Sequence, residues 1–124
     1  MNKKHIAAII LAAGKGKRMG LNGVNKVTAK LAMRPLIEHT VDFMRHSGIK
    51  TILVVVGYHK ESVIDSLKDK DVIFVEQKEQ LGTGHALTCA LEALPKHITD
   101  VLVGYGDDAV LYTQKNVDII ENLF

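Results

Sequence analysis

The stretch Ile6-Ala7-Ala8-Ile9-Ile10-Leu11 decides the fold of this chain, and it runs directly into Ala12-Ala13-Gly14. All residues before the glycine are apolar, whereas a strand with one face in water alternates apolar and polar residues. A continuous apolar run that stops at a glycine is typical of a strand buried on both faces of a parallel sheet. We therefore predict a central parallel strand over residues 6–11.

Three more apolar stretches follow at intervals that leave room for helices. They predict strands over 51–56, 72–75 and 101–105. Apolar residues at helical spacing predict helices from Pro35 to Gly48, over 61–67, over 84–94 and over 116–124. This alternation predicts an α/β fold, a Rossmann-like three-layer α/β/α arrangement with a mainly parallel sheet and helices on both faces.

Each predicted helix has one apolar face, and two of them have recognisable ends. Pro35 is predicted as the first residue of its helix and Gly48 as the stop. Thr83 is predicted to cap the helix at 84–94, with Pro95 beyond its end. The residues predicted to face inward are Ile37, Val41 and Met44; Val63, Ile64 and Leu67; Leu87, Leu91 and Leu94; and Val117, Ile120 and Phe124.

The ends of the predicted strands are where a ligand is expected. Open parallel sheets bind ligands outside the carboxyl ends of their strands. Residues 12–18, 76–85 and 105–108 all fall there, which favours one shared site. Residues 14–30 have neither helical nor strand periodicity, and they are predicted to form a long functional loop.

The bulk composition limits the kind of protein. With 124 residues, 47% of them hydrophobic and 24% charged, the chain has the size of one globular domain. The net charge of +2 does not indicate a nucleic-acid binder, and the apolar run at 6–13 is too short to cross a membrane. Cys89 is the single cysteine, so no internal disulfide forms. We expect a cytoplasmic protein, and the abrupt apolar end at Phe124 indicates a fragment.

The loop Gly14-Lys15-Gly16-Lys17-Arg18 places two glycines and three cations just after the first strand. It lacks the Gly-Lys-Ser/Thr of a phosphate-binding Walker loop, and Met19 stands at the third glycine of the dinucleotide fingerprint. The backbone amides of such a loop can wrap an anion that its cations neutralise. A solvated turn with exposed lysines has the same composition, so spacing alone leaves both interpretations open.

The second stretch at the strand ends is 77–86. Gln77 carries both a donor and an acceptor, which can read the edge of a base. Gly82 and Gly84 let a planar ring or a ribose approach the backbone. A glycine-rich turn with Thr83 as a helix cap fits the same residues.

The third stretch holds two aspartates directly after the last predicted strand. Carboxylates at such a position are natural Mg²⁺ ligands, and Asp107 and Asp108 supply two of them. Adjacent residues on an extended chain point to opposite sides, so only one of the two is expected to face a ligand. Solvated aspartates in a turn are the alternative.

Together these stretches resemble the sugar nucleotidyltransferases. Leu11-Ala12-Ala13-Gly14-Lys15-Gly16-Lys17-Arg18-Met19, followed by Lys26, is similar to the signature loop and lysine of that superfamily. Gln80-Leu81-Gly82-Thr83-Gly84-His85-Ala86 is similar, more narrowly, to the uridyltransferase domain of the bifunctional N-acetylglucosamine-1-phosphate uridyltransferase / glucosamine-1-phosphate acetyltransferase. Tyr105-Gly106-Asp107 resembles the metal-binding strand end of that family. The resemblance implies a nucleotide-diphospho-sugar transferase (GT-A-like) fold, of which residues 1–124 form the N-terminal, nucleotide-binding half.

The activity that the resemblance implies is transfer of UMP from UTP to N-acetylglucosamine 1-phosphate. This reaction gives pyrophosphate and UDP-N-acetylglucosamine, a precursor for cell walls and amino sugars. By the same resemblance, Arg18 and Lys26 grip the triphosphate as the catalytic pair, and Asp107 holds Mg²⁺. The implied nucleotide-binding residues are Leu11, Ala12, Ala13, Gly14, Lys15, Gly16, Gln77, Gly82 and Thr83.

The chain departs from the family pattern at two places. Asn25 stands where a proline is common before the lysine, and Asp108-Ala109 where a small apolar residue and proline are usual. The sugar-binding half, a later Mg²⁺-completing residue and the acetyltransferase domain are missing from these residues, so weak or no activity is expected of this chain alone. Two alternatives stay open: a sister enzyme that uses glucose 1-phosphate with UTP or dTTP, and a non-catalytic nucleotide-binding module. Unpaired sheet edges also allow self-association.

Overall fold

The structure, a computed structural model, describes residues 4–13, 30–31, 34–57, 60–79 and 81–106. Their helices and strands alternate along the chain as the apolar periodicity predicts. The elements are β1 (Ile6–Ala12), β2 (Lys30–Leu31), β3 (Arg34–Pro35), α1 (Leu36–His46), β4 (Thr51–Val56), α2 (Lys60–Ser66), β5 (Ile73–Glu76), α3 (Thr83–Glu92) and β6 (Asp100–Tyr105). Of the predicted loop at 14–30 only Lys30 is described, and it lies in β2. The rest of that loop and the predicted helix at 116–124 lie outside the described residues.

Four of the strands form one parallel sheet in the order β5-β4-β1-β6. The prediction of a central parallel strand at 6–11 is confirmed, and all four predicted strands are present within a residue of their expected bounds. The order reverses at β1, because the chain moves outward through β4 and β5 and then returns to the other side of β1 as β6. Such a reversal opens a crevice at the carboxyl ends of the strands on either side of it.

The core has two halves, one on each face of the sheet. Successive residues of β1 point to opposite faces, so Ile6 and Ile10 pack with α1 and α2 while Ala7 and Ile9 pack with α3. Because both faces are covered, β1 is buried along its whole length. The predicted three-layer α/β/α arrangement is therefore confirmed.

Helix α1 confirms the predicted stripe and corrects its start. Ile37, Val41 and Met44 are all buried. Gly48 follows the C-terminal cap residue Ser47 and has φ 95°, a left-handed conformation that stops the helix as expected. Pro35, predicted as the first helical residue, instead precedes the helix, because it pairs with Lys30 in the small sheet of β2 and β3.

The inward face predicted at 61–67 is largely confirmed, whereas that of α3 is not. Val63 in α2 and Leu67 just after this helix are buried, and Ile64 is partly buried. In α3 the residues against the sheet are Ala86 and Ala90, whereas Leu91 is 45% exposed. Leu87 and Leu94 are partly buried and pack against the same core, whereas the inward prediction for Leu91 is wrong.

An ion cluster joins α1 to the turn before β5. The Lys70 Nζ atom lies 3.6 Å from Glu38 Oε1 and 2.9 Å from Asp42 Oδ1, and all three side chains are mostly screened from water. We expect Lys70→Met to lower the free energy of unfolding by about 0.5–1 kcal/mol, less at 1 M salt. Urea titration measures this change. The matched control is Lys68→Met, whose exposed pair with Asp65 spans 3.8 Å and is expected to contribute nothing measurable.

Candidate functional site

The carboxyl ends of all four parallel strands meet at one edge of the sheet. The register pairs Ala12 with Val56, Val56 with Glu76, and Leu11 with Tyr105. The described parts of the three stretches 12–18, 76–85 and 105–108 therefore lie along the same edge, as predicted. This edge is the candidate site.

The end of β1 forms the middle of the site. Leu11, Ala12 and Ala13 are 7%, 2% and 4% exposed, so their side chains belong to the core and only their backbone can serve a ligand. The Gly106 N–H donates to the Leu11 carbonyl over 3.2 Å, which extends the pairing of β1 and β6 beyond Tyr105. The crevice at the order reversal thus begins at Ala13 and Gly106.

A buried threonine side chain holds the carbonyl group of Gly106. Thr40, in α1, is completely buried, and its hydroxyl donates to the Gly106 carbonyl over 2.7 Å. The Leu36 carbonyl lies farther from this hydroxyl, at 3.3 Å, so the single proton is best used on Gly106. Both polar groups of Gly106 are engaged, and the backbone that leads into Asp107 is held from two directions.

Gln77 forms the far end of the site, beside the end of β5. Its backbone N–H donates to the Val56 carbonyl over 2.8 Å, and its side chain is buried, with the whole residue 3% exposed. The amide nitrogen Nε2 lies 3.2 Å from the Gly82 carbonyl oxygen and 2.9 Å from His85 Nδ1. A polar side chain buried at a strand end, with its amide held in place, is suited to recognition.

The backbone next to Gln77 is open to solvent. Gly82, Thr83 and Gly84 are all exposed, and a Cβ added at either glycine meets nothing within 4 Å. Gly82 caps α3 with φ 96° and ψ 176°, and Thr83 is the first helical residue with no side-chain cap. The expectation that Thr83 caps the helix is therefore wrong, and the open glycine surface is available to a ligand.

Charge at this end of the site is locally compensated. The Glu76 carboxylate, directly before Gln77, lies 3.0 Å from Lys60 Nζ. Both side chains are about two-fifths exposed, so the pair contributes little stability. It does neutralise a negative charge that would repel an anionic ligand at the same edge.

Several predicted site residues lie outside the described residues. They are Gly14, Lys15, Gly16, Arg18, Lys26 and Asp107, and their roles stay predictions. Among the described residues, no group of three or more His, Cys, Asp or Glu side chains is arranged to hold a metal ion. None of the helices in those parts of the chain is long and apolar enough to span a membrane.

Sequence reasoning missed two residues that support the site. Thr40 stands in the apolar stripe of α1, and a polar residue at such a position signals a buried hydrogen bond. His85 contacts Gln77, and nothing in the sequence pairs these two residues. Their separation of eight positions gives no periodic signal.

Comparison with known proteins assigns the class. The MobA-like NTP transferase domain family matches residues 8–120, and the chain belongs to this family of nucleotidyltransferases. It is also 42% identical over 118 residues to the bifunctional protein GlmU of Francisella tularensis subsp. novicida. That match covers 95% of this chain but 24% of the relative, so the chain spans about a quarter of its length.

Two solved structures share the fold over most of the chain. A nucleotidyl transferase from Methanothermobacter thermautotroptrophicus is 25% identical with a TM-score of 0.80, covering 94% of this chain and 56% of that one. A UDP-glucose pyrophosphorylase from Acinetobacter baumanii is 26% identical with a TM-score of 0.66, covering 83% of this chain and 45% of that one. The expected α/β class and the sugar nucleotidyltransferase resemblance are confirmed.

Proposed function

We propose that the chain is the nucleotide-binding part of an enzyme that transfers UMP from UTP to N-acetylglucosamine 1-phosphate. The observation that carries this proposal is the buried Gln77 amide, held beside the exposed backbone of Gly82 and Gly84. A planar base can lie against backbone that has no side chains, while an amide reads its edge. The resemblance of residues 80–86 to uridyltransferases favours uracil.

The width of the sheet suits an extended nucleotide. Neighbouring strands lie about 4.8 Å apart, so β5 and β6 are separated by about 14 Å along the sheet. In the proposed orientation the base lies at Gln77, the ribose crosses the end of β4, and the phosphates reach the crevice between β1 and β6. Lys15, Arg18 and Lys26 follow β1 in the sequence and would neutralise the phosphates.

Magnesium fits the oxygen donors expected at the crevice. The Gly106 carbonyl accepts a hydrogen bond from Thr40, and the Asp107 carboxylate follows directly in the sequence. Mg²⁺ commonly takes one or two carboxylates from protein and its other ligands from phosphate and water. Asp107 would hold the ion, and the ion would supply positive charge that stabilises the charge developing on the phosphates.

The proposed reaction requires no protein nucleophile. An oxygen of the sugar 1-phosphate attacks the α-phosphorus of UTP, a new P–O bond forms, and the bond to the β-phosphate bridging oxygen breaks. Pyrophosphate leaves with the electron pair of that bond. The residues of this chain contribute alignment of the nucleotide and neutralisation of its charge.

Binding and turnover test the proposal separately. We expect the 124-residue chain to bind UTP more tightly with Mg²⁺ than without it, and Asp107→Asn to remove this dependence while weak metal-free binding remains. Calorimetry measures both. Asp69→Asn, an exposed aspartate in the turn after α2, is the matched control. Metal dependence that survives in Asp107→Asn would contradict the role given to this carboxylate.

A sister reaction with glucose 1-phosphate is the second candidate. The observation that favours it is the fold similarity to a UDP-glucose pyrophosphorylase. Pyrophosphate release with UTP or dTTP, measured with each of the two sugar phosphates, separates the candidates. We expect little turnover from this chain with any pair, because it spans about half of the matched nucleotidyltransferase structures. A chain extended to the length of its relatives provides the test of the third alternative. If that longer chain binds nucleotide but shows no turnover, the non-catalytic nucleotide-binding module is favoured.

A further inference from the structure

The contact between Gln77 and His85 has only one chemically consistent proton arrangement. Gln77 Nε2 lies 3.2 Å from the Gly82 carbonyl oxygen, and a backbone carbonyl can only accept a hydrogen bond. With the amide turned the other way, the oxygen of the buried Gln77 side chain would face the Gly82 carbonyl oxygen, and two acceptors would meet without a proton between them. The carbonyl of Gly82 therefore favours the amide orientation in which the nitrogen faces it.

The same arrangement fixes the tautomer of His85. The second proton of the Gln77 amide points along the 2.9 Å contact to His85 Nδ1, so Nδ1 must be the accepting, unprotonated nitrogen. The ring proton is then on Nε2, which lies 3.9 Å from Cys89 Sγ, a weak acceptor. Both protons of the Gln77 amide are committed, one to the backbone and one to the imidazole.

What remains for a ligand is the Gln77 carbonyl oxygen. In the described part of the chain, nothing donates a hydrogen bond to this Oε1 atom, although the residue is only 3% exposed. A buried acceptor without a donor favours a ligand that brings an N–H group and opposes one that brings a lone pair. The imide N3–H of uracil or thymine is such a donor, whereas cytosine has a lone pair at the same ring position.

We propose that His85 is a positioning residue that locks the Gln77 amide with its oxygen toward the base and thereby selects imide bases over cytosine. This inference rests on the proposed function, because it assumes that the base lies at Gln77. His85 itself need not touch the ligand. Its contribution is the acceptor at Nδ1, without which the Gln77 side chain has one proton uncommitted and can turn to offer its nitrogen to a base.

The affinities for UTP and CTP, measured by calorimetry on the complete chain with Mg²⁺, test this inference. The wild type is expected to prefer UTP, and His85→Leu is expected to lower the UTP-to-CTP affinity ratio about tenfold, the effect of one hydrogen bond. His85→Asn places an amide oxygen near the position of Nδ1, and the ratio is expected to stay within about threefold of wild type. His97→Leu, an exposed histidine in the loop that precedes β6, is the matched control and is expected to leave the ratio unchanged.

The outcomes separate the inference from the proposed function. A wild type that does not prefer UTP overturns the proposed function. A preference that persists in His85→Leu, or that is lost equally in His85→Asn, overturns the inference alone. If His85→Leu fails to fold, the asparagine variant and the ring-nitrogen NMR spectrum of the wild type decide, because a proton on Nδ1 of His85 would contradict the inference.

Discussion

Thr40→Val is expected to lower the free energy of unfolding by about 1–3 kcal/mol, although the substitution preserves the shape of the side chain. The loss comes from one atom, the hydroxyl oxygen, whose proton satisfies the Gly106 carbonyl over 2.7 Å. Both Thr40 and Gly106 are buried, so water cannot replace the missing donor. The cost is therefore the full penalty of a buried, unsatisfied carbonyl rather than the smaller net value of a hydrogen bond.

Urea unfolding, with the slope of the transition unchanged, measures this effect. Thr88→Val is the matched control, because the Thr88 hydroxyl donates to the Gly84 carbonyl over 3.0 Å at an exposed position where water can substitute. We expect less than about 0.5 kcal/mol from the control. Equal losses from the two variants would contradict the special role of the Gly106 contact.

The Thr40→Val variant also tests how the candidate site binds its ligand. Because Thr40 holds the residue before Asp107, we expect Thr40→Val to weaken Mg²⁺-dependent UTP binding while metal-free binding changes less. If the substitution only lowered global stability, UTP binding with Mg²⁺ and UTP binding without it would weaken equally, after correction for the folded fraction. Calorimetry with and without Mg²⁺, below the unfolding transition, distinguishes these cases.

Gly82→Ala is the second substitution with a large expected effect, about 1–3 kcal/mol of destabilisation. The added methyl group meets no neighbour, so crowding is not the cause. The cause is the backbone, since φ 96° with ψ 176° belongs to a region that only glycine adopts readily. Relaxing this conformation would also move the Gly82 carbonyl, which accepts from Gln77 Nε2 and from the Ala86 N–H.

Gly84→Ala is the matched control, and its expected sign is opposite. Gly84 lies inside α3 without a positive φ, and its added Cβ also meets nothing within 4 Å. Alanine is the better helix former, so this variant should gain up to about 1 kcal/mol. Under the proposed function it should nevertheless bind UTP more weakly, because the methyl group occupies the surface offered to the base. A stabilised variant with undiminished UTP affinity would move the base away from Gly84.

The predictability of this fold follows from how its strands and helices are buried. Strands β1 and β4 are buried on both faces, and such burial removes polar residues from the sequence and leaves a continuous apolar run. Strands β5 and β6 are more exposed, but their shorter apolar runs still predict them. The stripe of α1 was equally clear, since Ile37, Val41 and Met44 are large and regularly spaced. The shared edge of the site followed from topology alone, because the carboxyl ends of parallel strands must coincide.

The sequence-based predictions that are wrong, and the contact that the sequence did not predict, also have physical causes. The predicted helix at 84–94 has a broad apolar arc, and hydrophobicity alone favours the leucines as its centre. This arc consists of Ala86, Leu87, Ala90, Leu91 and Leu94. In the structure the alanines Ala86 and Ala90 are the buried residues that face the sheet. Hydrophobic periodicity gives small alanines less weight than leucines, so it does not predict this. The Gln77–His85 contact could not be anticipated, because it depends on the path of the chain through a glycine with positive φ.

The position of β1 between β4 and β6 has a consequence for synthesis in the cell. Ile6–Ala12 is synthesised before both of its neighbours in the sheet, and the second of them, Asp100–Tyr105, follows more than ninety residues later. At about 5–20 residues per second, one edge of this wholly apolar strand waits roughly 5–20 s for its partner. During that interval the nascent chain presents an unpaired strand that other chains could bind, so its yield is expected to depend on chaperones that shield strand edges until β6 emerges.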